Sequence, residues 1–327
     1  GLAQNSTLAR PGFHHLHLNS VDPDAAIAYY TQQFPSTAKG TFAGQPALKA
    51  RNVWVLFNKV NKLPAIEPQT AYWHFGWNVP DSRKNRDLYR QKGVSLKPLF
   101  TGEGDQTVDV SSDTWPGAGG TLGRTRSEIN EAKAKNIQPT RVGGFGYLNG
   151  PDRAIVEYAG NYPVERFNHV HMYHEHPSCA MQWYVTHLGA QMPAAGRGGA
   201  GGGAGRSGAP AGPTPGTSAD CNNPKTVYSP PTFPSFAKGG FVRDPAGGVL
   251  LDDISISIRP WPGGGLASTR GRLYDHWAVS TANLDRTVSR LKSENVRFLE
   301  EVHPWGNARA AMIEGPDRIA IELVEIR

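Results

Sequence analysis

Cysteine is nearly absent from the chain: 327 residues contain two, Cys179 and Cys221. Two are too few for a disulfide framework and lack the spacing of a thiolate metal site. What remains open is a single bridge, which would pin the long loop between them. Long apolar runs are missing as well, and without about eighteen consecutive apolar residues no membrane-spanning helix is expected. Concentrated charge of one sign is the third absence. The net charge is +6, but the basic residues are scattered or sit in loops, as at Arg197, Arg206, Arg270 and Arg272. With no basic stripe interleaved with aromatics, a nucleic-acid partner is not expected, whereas a small-molecule substrate, even an anionic one, stays open.

Apolar residues at 38% and aromatics at 9% suffice for packed cores, while Gly 38 and Pro 26 fill loops, so a soluble globular protein is expected. The opening GLAQNSTLARPG is similar to the tail of a cleaved secretory signal. Export to the periplasm or outside the cell is therefore expected, with the cytoplasm as the alternative, and export would suit a Cys179–Cys221 bridge.

One stretch returns almost unchanged: GPDRAIVE at Gly150 to Glu157 and GPDRIAIE at Gly315 to Glu322, 165 residues apart. Each copy reads as a turn feeding a strand that ends on a carboxylate. The repeat divides the chain into an extension, 1–10, and two halves, 11–162 and 163–327, with NYPVER at the boundary. Each half opens with a strand and a capped helix, FHHLHLN before Asp22 and FNHVHMY before a helix at about Cys179 to Leu188. Strands follow, Asn52 to Val60 and within Gly239 to Ile258. A second strand and helix then begin at AYWHFGWNVPD and YDHWAV, and the GPDR strand closes each half. Four units of strand, helix and strands result, an α+β chain. Two interruptions break the pattern. Residues of about 101–140 surround a Gly-rich centre (WPGAGGTLG) with a short helix at about 127–134, and about 194–219 form a flexible Gly/Ala/Pro loop.

Nine of eleven histidines lie in or just after the opening strands: His14, His15, His17, His74, His169, His171, His174, His176 and His276. His15 precedes Asp22 by seven residues, as His74 precedes Asp81. Each half thus offers two strand histidines and one strand glutamate: His15, His74 and Glu157, then His169, His276 and Glu322. Two imidazoles and a carboxylate suit a divalent metal and leave positions open, as a catalytic site requires. His17 and His171 share a strand face with His15 and His169 and stand as proton-transfer groups, partners of the ligands, or ligands in their place. Tyr147 and His303 are further candidates for proton transfer.

These residues resemble the vicinal oxygen chelate superfamily of glyoxalase I, fosfomycin-resistance proteins, methylmalonyl-CoA epimerase and extradiol dioxygenases. The resemblance implies four βαβββ modules forming two tandem domains with curved mixed sheets, and it carries His15, His74 and Glu157, with His169, His276 and Glu322, over as metal ligands. One or two divalent ions per chain are implied, Fe(II) before Zn, Mn or Ni. The implied activity is a metal-dependent enzyme acting on a small substrate chelated through vicinal oxygens, leaning to a non-haem iron dioxygenase. A glyoxalase-type lyase, isomerase or epimerase is the alternative, and a non-catalytic small-molecule binding protein of the resistance kind is another. Two departures stand out. Glyoxalase I adds a carboxylate from the last strand of an odd-numbered unit, where this chain offers only Asp252 and Asp253 near one start. The extradiol enzymes place a histidine and then a tyrosine before the closing turn, whereas Tyr147 lacks such a histidine and His303 is followed by Met312, so catechol ring cleavage is not expected. If one half alone is active, the first is expected, for its longer insertion and Tyr147. A monomer or homodimer is expected.

Overall fold

The computed structural model describes residues 11–51, 53–100, 107–110, 130–131, 134–137, 144–160, 162–193, 247–261 and 263–325. Four modules follow one another. The first is β1 (Phe13–Ser20), α1 (Pro23–Gln33), β2 (Ala38–Phe42), β3 (Gln45–Ala50) and β4 (Val53–Lys59). The second is β5 (Tyr72–Asn78), α2 (Ser82–Gln91), β6 (Leu96–Lys97), a short hairpin of β7 (Leu99–Phe100) and β8 (Thr107–Val108), then β9 (Phe145–Asn149) and β10 (Ile155–Ala159). The third is β11 (Arg166–His174), α3 (Pro177–Leu188), β12 (Gly247–Leu251) and β13 (Ile254–Pro260). The fourth is β14 (Tyr274–Thr281), α4 (Leu284–Ser293), β15 (Phe298–Trp305), β16 (Ala308–Glu314) and β17 (Ala320–Glu325). The α+β class expected from the sequence is what the chain adopts.

Local chemistry explains the helix boundaries. Asp22, Asp81 and Asn283 accept hydrogen bonds from first-turn N–H groups of α1, α2 and α4, and α3 begins at Pro177. Gly189 ends α3 with φ +67°, which glycine adopts without a Cβ penalty. No helix among the described residues is long and apolar enough to cross a membrane. Cys179, on α3, is disulfide-bonded; Cys221, the 194–219 loop and residues 127–129 and 132–133 of the expected helix at 127–134 lie outside the described residues, while 130, 131 and 134 are helical.

The modules pair across the halves. One eight-stranded sheet runs β15-β16-β17-β14-β1-β4-β3-β2, joining the fourth module to the first, and one seven-stranded sheet runs β12-β13-β11-β5-β10-β9-β6, joining the third to the second. Each sheet therefore draws strands from both sides of the 162–163 boundary. The seams are antiparallel, β1 against β14 and β11 against β5, while β1/β4, β14/β17, β5/β10 and β11/β13 are parallel.

Strand alternation sends the histidines to one face and large apolar residues to the other. Away from the histidines, Phe13 stacks on Trp277 at 5.7 Å, and Phe167 lies within 6.1 Å of Phe75 and 5.2 Å of Trp77. Helix α1 adds Phe34, stacked on Trp77 at 4.2 Å, and α3 adds Tyr184, 5.9 Å from Trp277. These rings come from all four modules and form the shared core.

The two GPDR turns join one sheet to the other. Asp152 (φ 55°) and Asp317 (φ 54°) occupy the left-handed region that aspartate tolerates better than most residues. Asp152 accepts from the Val21 N–H at 3.1 Å, just past β1. Asp317 accepts from the Glu175 N–H at 3.1 Å, just past β11, and bonds Nδ1 of the buried His174 at 2.7 Å, whose Nε2 meets the Tyr184 hydroxyl at 2.9 Å. Asp317→Ala leaves the buried imidazole short of a partner and puts alanine at positive φ, and is expected to cost about 2–4 kcal/mol in urea unfolding. Asp152→Ala, which loses one exposed bond, should cost less; equal losses would contradict this assignment.

Candidate metal centres

Two clusters form where the seams run. At the β1–β14 seam His17 lies opposite His276, and at the β11–β5 seam His171 lies opposite His74. The closing strands complete the pattern: Glu322 on β17 pairs with Ala278, two residues past His276, and Glu157 on β10 pairs with Gly76, two residues past His74. A period of two puts each glutamate on the histidine face.

In the first centre the Glu322 Oε2 lies 3.3 Å from His15 Nε2 and 3.8 Å from His276 Nε2. In the second, the Glu157 Oε2 lies 2.9 Å from His74 Nε2 and 3.6 Å from His169 Nε2. The six expected ligands are thus brought together, but in different sets. His15 joins His276 and Glu322, not His74 and Glu157; His169 joins His74 and Glu157, not His276 and Glu322. Because both clusters draw expected ligands from both halves, the expectation of one active half has no structural counterpart.

The preceding residue orients three of the four histidines. Asp275 Oδ1 accepts from His276 Nδ1 at 2.7 Å, Asn168 Oδ1 lies 2.8 Å from His169 Nδ1, and His14 Nδ1 lies 2.9 Å from His15 Nδ1. With Nδ1 engaged, Nε2 is left for the centre. Asp275 is itself held by Arg270, by the Gly271 N–H at 2.6 Å and by Asn19 Nδ2 at 3.3 Å. Alternation hides these partners, since a neighbour in a strand belongs on the opposite face. The bulges in β1 and β11 accompany the departure at His15 and His169.

The proton-transfer candidates divide two and two. His17 belongs to the first centre, its Nδ1 3.1 Å from His276 Nε2, and His303 on β15 lines the cavity above it. His171 stacks on His74 at 4.4 Å in the second, where Tyr147 on β9 pairs with Glu157. Met312 pairs with Glu322 in the same way, so methionine in one centre takes the place of tyrosine in the other. Asp252 and Asp253 lie in the β12–β13 turn, away from both centres.

Burial sets the electrostatics. It pushes His15, His17 and His171 well below the ordinary histidine value and His74 down to about 4, so these imidazoles are neutral near pH 7 and carry free lone pairs. Burial alone would raise the Glu157 carboxyl; the His169 and His74 imidazoles outweigh it and hold the group well below its usual range. Burial raises Glu322, which its histidines offset only in part. Burial also acts to raise Asp275, but His276, Arg270 and the Gly271 N–H hold it below the usual range.

Several buried atoms at the centres have no hydrogen-bond partner: His15 Nε2, His17 Nε2 and Glu322 Oε2 in one, His169 Nε2, both nitrogens of His171 and Glu157 Oε1 in the other. Orphaned buried polar atoms cost about 1–3 kcal/mol each. Ligand atoms of His74, Glu157, His169 and His171 all lie within 4.8 Å of one another, as do those of His15, His17 and His276. Such a donor set fits a divalent ion, which would engage His15 Nε2 and Glu322 Oε2 in one centre and His169 Nε2 in the other. The first centre opens on a cavity of about 260 Å³; the second is buried throughout.

Gly76 is a site residue that sequence reading passed over. A Cβ there would meet the His169 ring at 2.5 Å and the Glu157 backbone oxygen at 2.8 Å. Gly76→Ala is expected to lower unfolding free energy by about 1–3 kcal/mol in urea titration through overpacking; an unchanged midpoint would show that the centre has room to spare.

Residues 166–323 match the sequence profile described as the Glyoxalase/Bleomycin resistance protein/Dioxygenase superfamily. No curated protein sequence matches the chain. Among solved structures it is similar to glyoxalase I from Zea mays, with a TM-score of 0.57 at 13% identity, covering 96% of this chain and 92% of that one. It is also similar to a putative dioxygenase from Bacillus subtilis, with a TM-score of 0.53 at 9% identity, covering 96% and 84%. At these identities the likeness concerns the fold.

Proposed function

Given that the chain belongs, through residues 166–323, to the Glyoxalase/Bleomycin resistance protein/Dioxygenase superfamily, we propose that it is a divalent-metal-dependent enzyme. Its working centre is His15, His276 and Glu322, acting on a small substrate held through two neighbouring oxygens. The observation that carries this reading is the buried glutamate between two imidazole Nε2 atoms, built twice from different modules and surrounded by orphaned donors. The first centre is assigned the chemistry because the cavity opens there.

A divalent ion in this set would supply Lewis acidity toward two substrate oxygens and, as iron(II), reaction with dioxygen. The chain's own residues do the rest. Asp275 keeps His276 turned toward the centre, and Arg270 keeps Asp275 in place. His17 and His303 are the groups placed to take or give a proton at the cavity. Iron is favoured by the two-histidine, one-carboxylate set. A second reading, lyase or isomerase chemistry on zinc, manganese or nickel, is supported by one feature: His17 offers a third imidazole beside His15 and His276, and three imidazoles suit zinc. A purely binding protein would have no use for so many orphaned donors.

Metal analysis of anaerobically purified protein by mass spectrometry is expected to find about two ions per chain. His276→Ala and Glu322→Ala should each lose one ion together with activity; His74→Ala and Glu157→Ala should lose the other and leave most activity in place. Iron directs the substrate search to oxygenations, and zinc, manganese or nickel to isomerase and lyase reactions. Protein that holds no ion after exposure to each of these metals would overturn the enzyme reading in favour of ligand binding alone.

A further inference from the structure

The cavity over the first centre constrains what enters it. Its wall carries three carboxylates, Glu322, Asp275 and Glu300, and one guanidinium, Arg270, the single lysine or arginine among the lining residues. Arg270 is tied to two of these carboxylates: Nη1 bonds Asp275 and Nη2 bonds Glu300 at 2.7 Å. A divalent ion among His15, His276 and Glu322 brings this wall to neutrality and leaves no cation over for an anionic substrate. The net +6 of the chain lies elsewhere.

The rest of the wall is rich in hydrogen-bonding groups. Gln45 presents a buried Oε1 with no partner, and the buried His17 presents an unpartnered Nε2. Asn58 and His303 add further polar groups, and Trp305, 5.4 Å from the His15 ring, supplies one flat apolar patch. An unpartnered acceptor and an unpartnered imidazole in the lining of one cavity call for hydroxyl groups, which both donate and accept. At about 260 Å³ the cavity is below the roughly 300–1,000 Å³ of sites for drug-sized ligands, so the ligand is small.

We propose that the substrate of this centre is a small, neutral, hydroxyl-rich molecule, an α-hydroxycarbonyl compound of the sugar type, whose hydroxyl and carbonyl oxygens form the neighbouring pair. This rests on the metal-centre reading above. Neither an anion nor a flat apolar ring matches the wall: the first meets Glu300 beside a guanidinium already paired with two carboxylates, and the second strands Gln45 and His17 without partners.

The test uses the full chain loaded with Mn(II), its metal content measured on the same sample, and isothermal titration with dihydroxyacetone and with dihydroxyacetone phosphate. The two probes share the chelating end and differ by a phosphate dianion. Dihydroxyacetone is expected to bind at least about tenfold more tightly, and Glu300→Gln, which frees one face of Arg270, is expected to narrow that gap. Equal or tighter binding of the phosphate ester would overturn the proposal. So would failure of both probes to bind protein that holds manganese, with the metal reading left standing. Protein that retains no manganese would instead overturn the metal reading itself, and the substrate class with it.

Discussion

The antiparallel seam between opening strands is the constraint on which the rest of this structure depends. Where β1 meets β14 and β11 meets β5, histidines from modules far apart in the chain lie across from one another, His17 against His276 and His171 against His74. The parallel partners β17 and β10 then bring Glu322 and Glu157 to the same face. Slip either seam by one residue and the histidines would turn toward the aromatic core while Leu16 or Phe75 turned toward the centre. That core, built from Phe13, Phe75, Trp77, Phe167 and Trp277, therefore holds the seams in register as well as the sheets together.

Burial gives the two centres their shared character and their difference. In both, buried imidazoles surround a carboxylate away from bulk water, a costly arrangement unless something satisfies the donors. The first centre opens to a cavity, has its carboxyl raised, and has methionine across from its glutamate. The second is buried, has its carboxyl lowered by two close histidines, and has tyrosine across from its glutamate. One fold thus carries two versions of one donor set, the first of them beneath a cavity for a ligand.

Much of this was legible in the sequence. The seven-residue step from strand histidine to helix cap, His15 to Asp22 and His74 to Asp81, is a local pattern, and the structure gives both aspartates the capping role. The GPDR repeat located the closing strands and their glutamates, because turn chemistry is local as well. The pairing of modules was not legible. All four opening strands carry the same signals, and nothing in a strand's own residues says which distant strand will lie beside it. His17 and His276 are 259 residues apart, and their meeting depends on the aromatic core as a whole. Asp275 and Asn168 were missed for the opposite reason: alternation assigns a neighbouring side chain to the far face, and the irregular seams allow the exception.

Metal stoichiometry of two double variants tests the cross-paired centres most directly. His15→Ala combined with Glu322→Ala damages one centre, whereas His15→Ala combined with Glu157→Ala damages both. The account predicts about one ion retained by the first pair and none by the second. The reverse result, with the first pair empty and the second still holding an ion, would contradict it and would mean that each half of the chain builds a centre of its own.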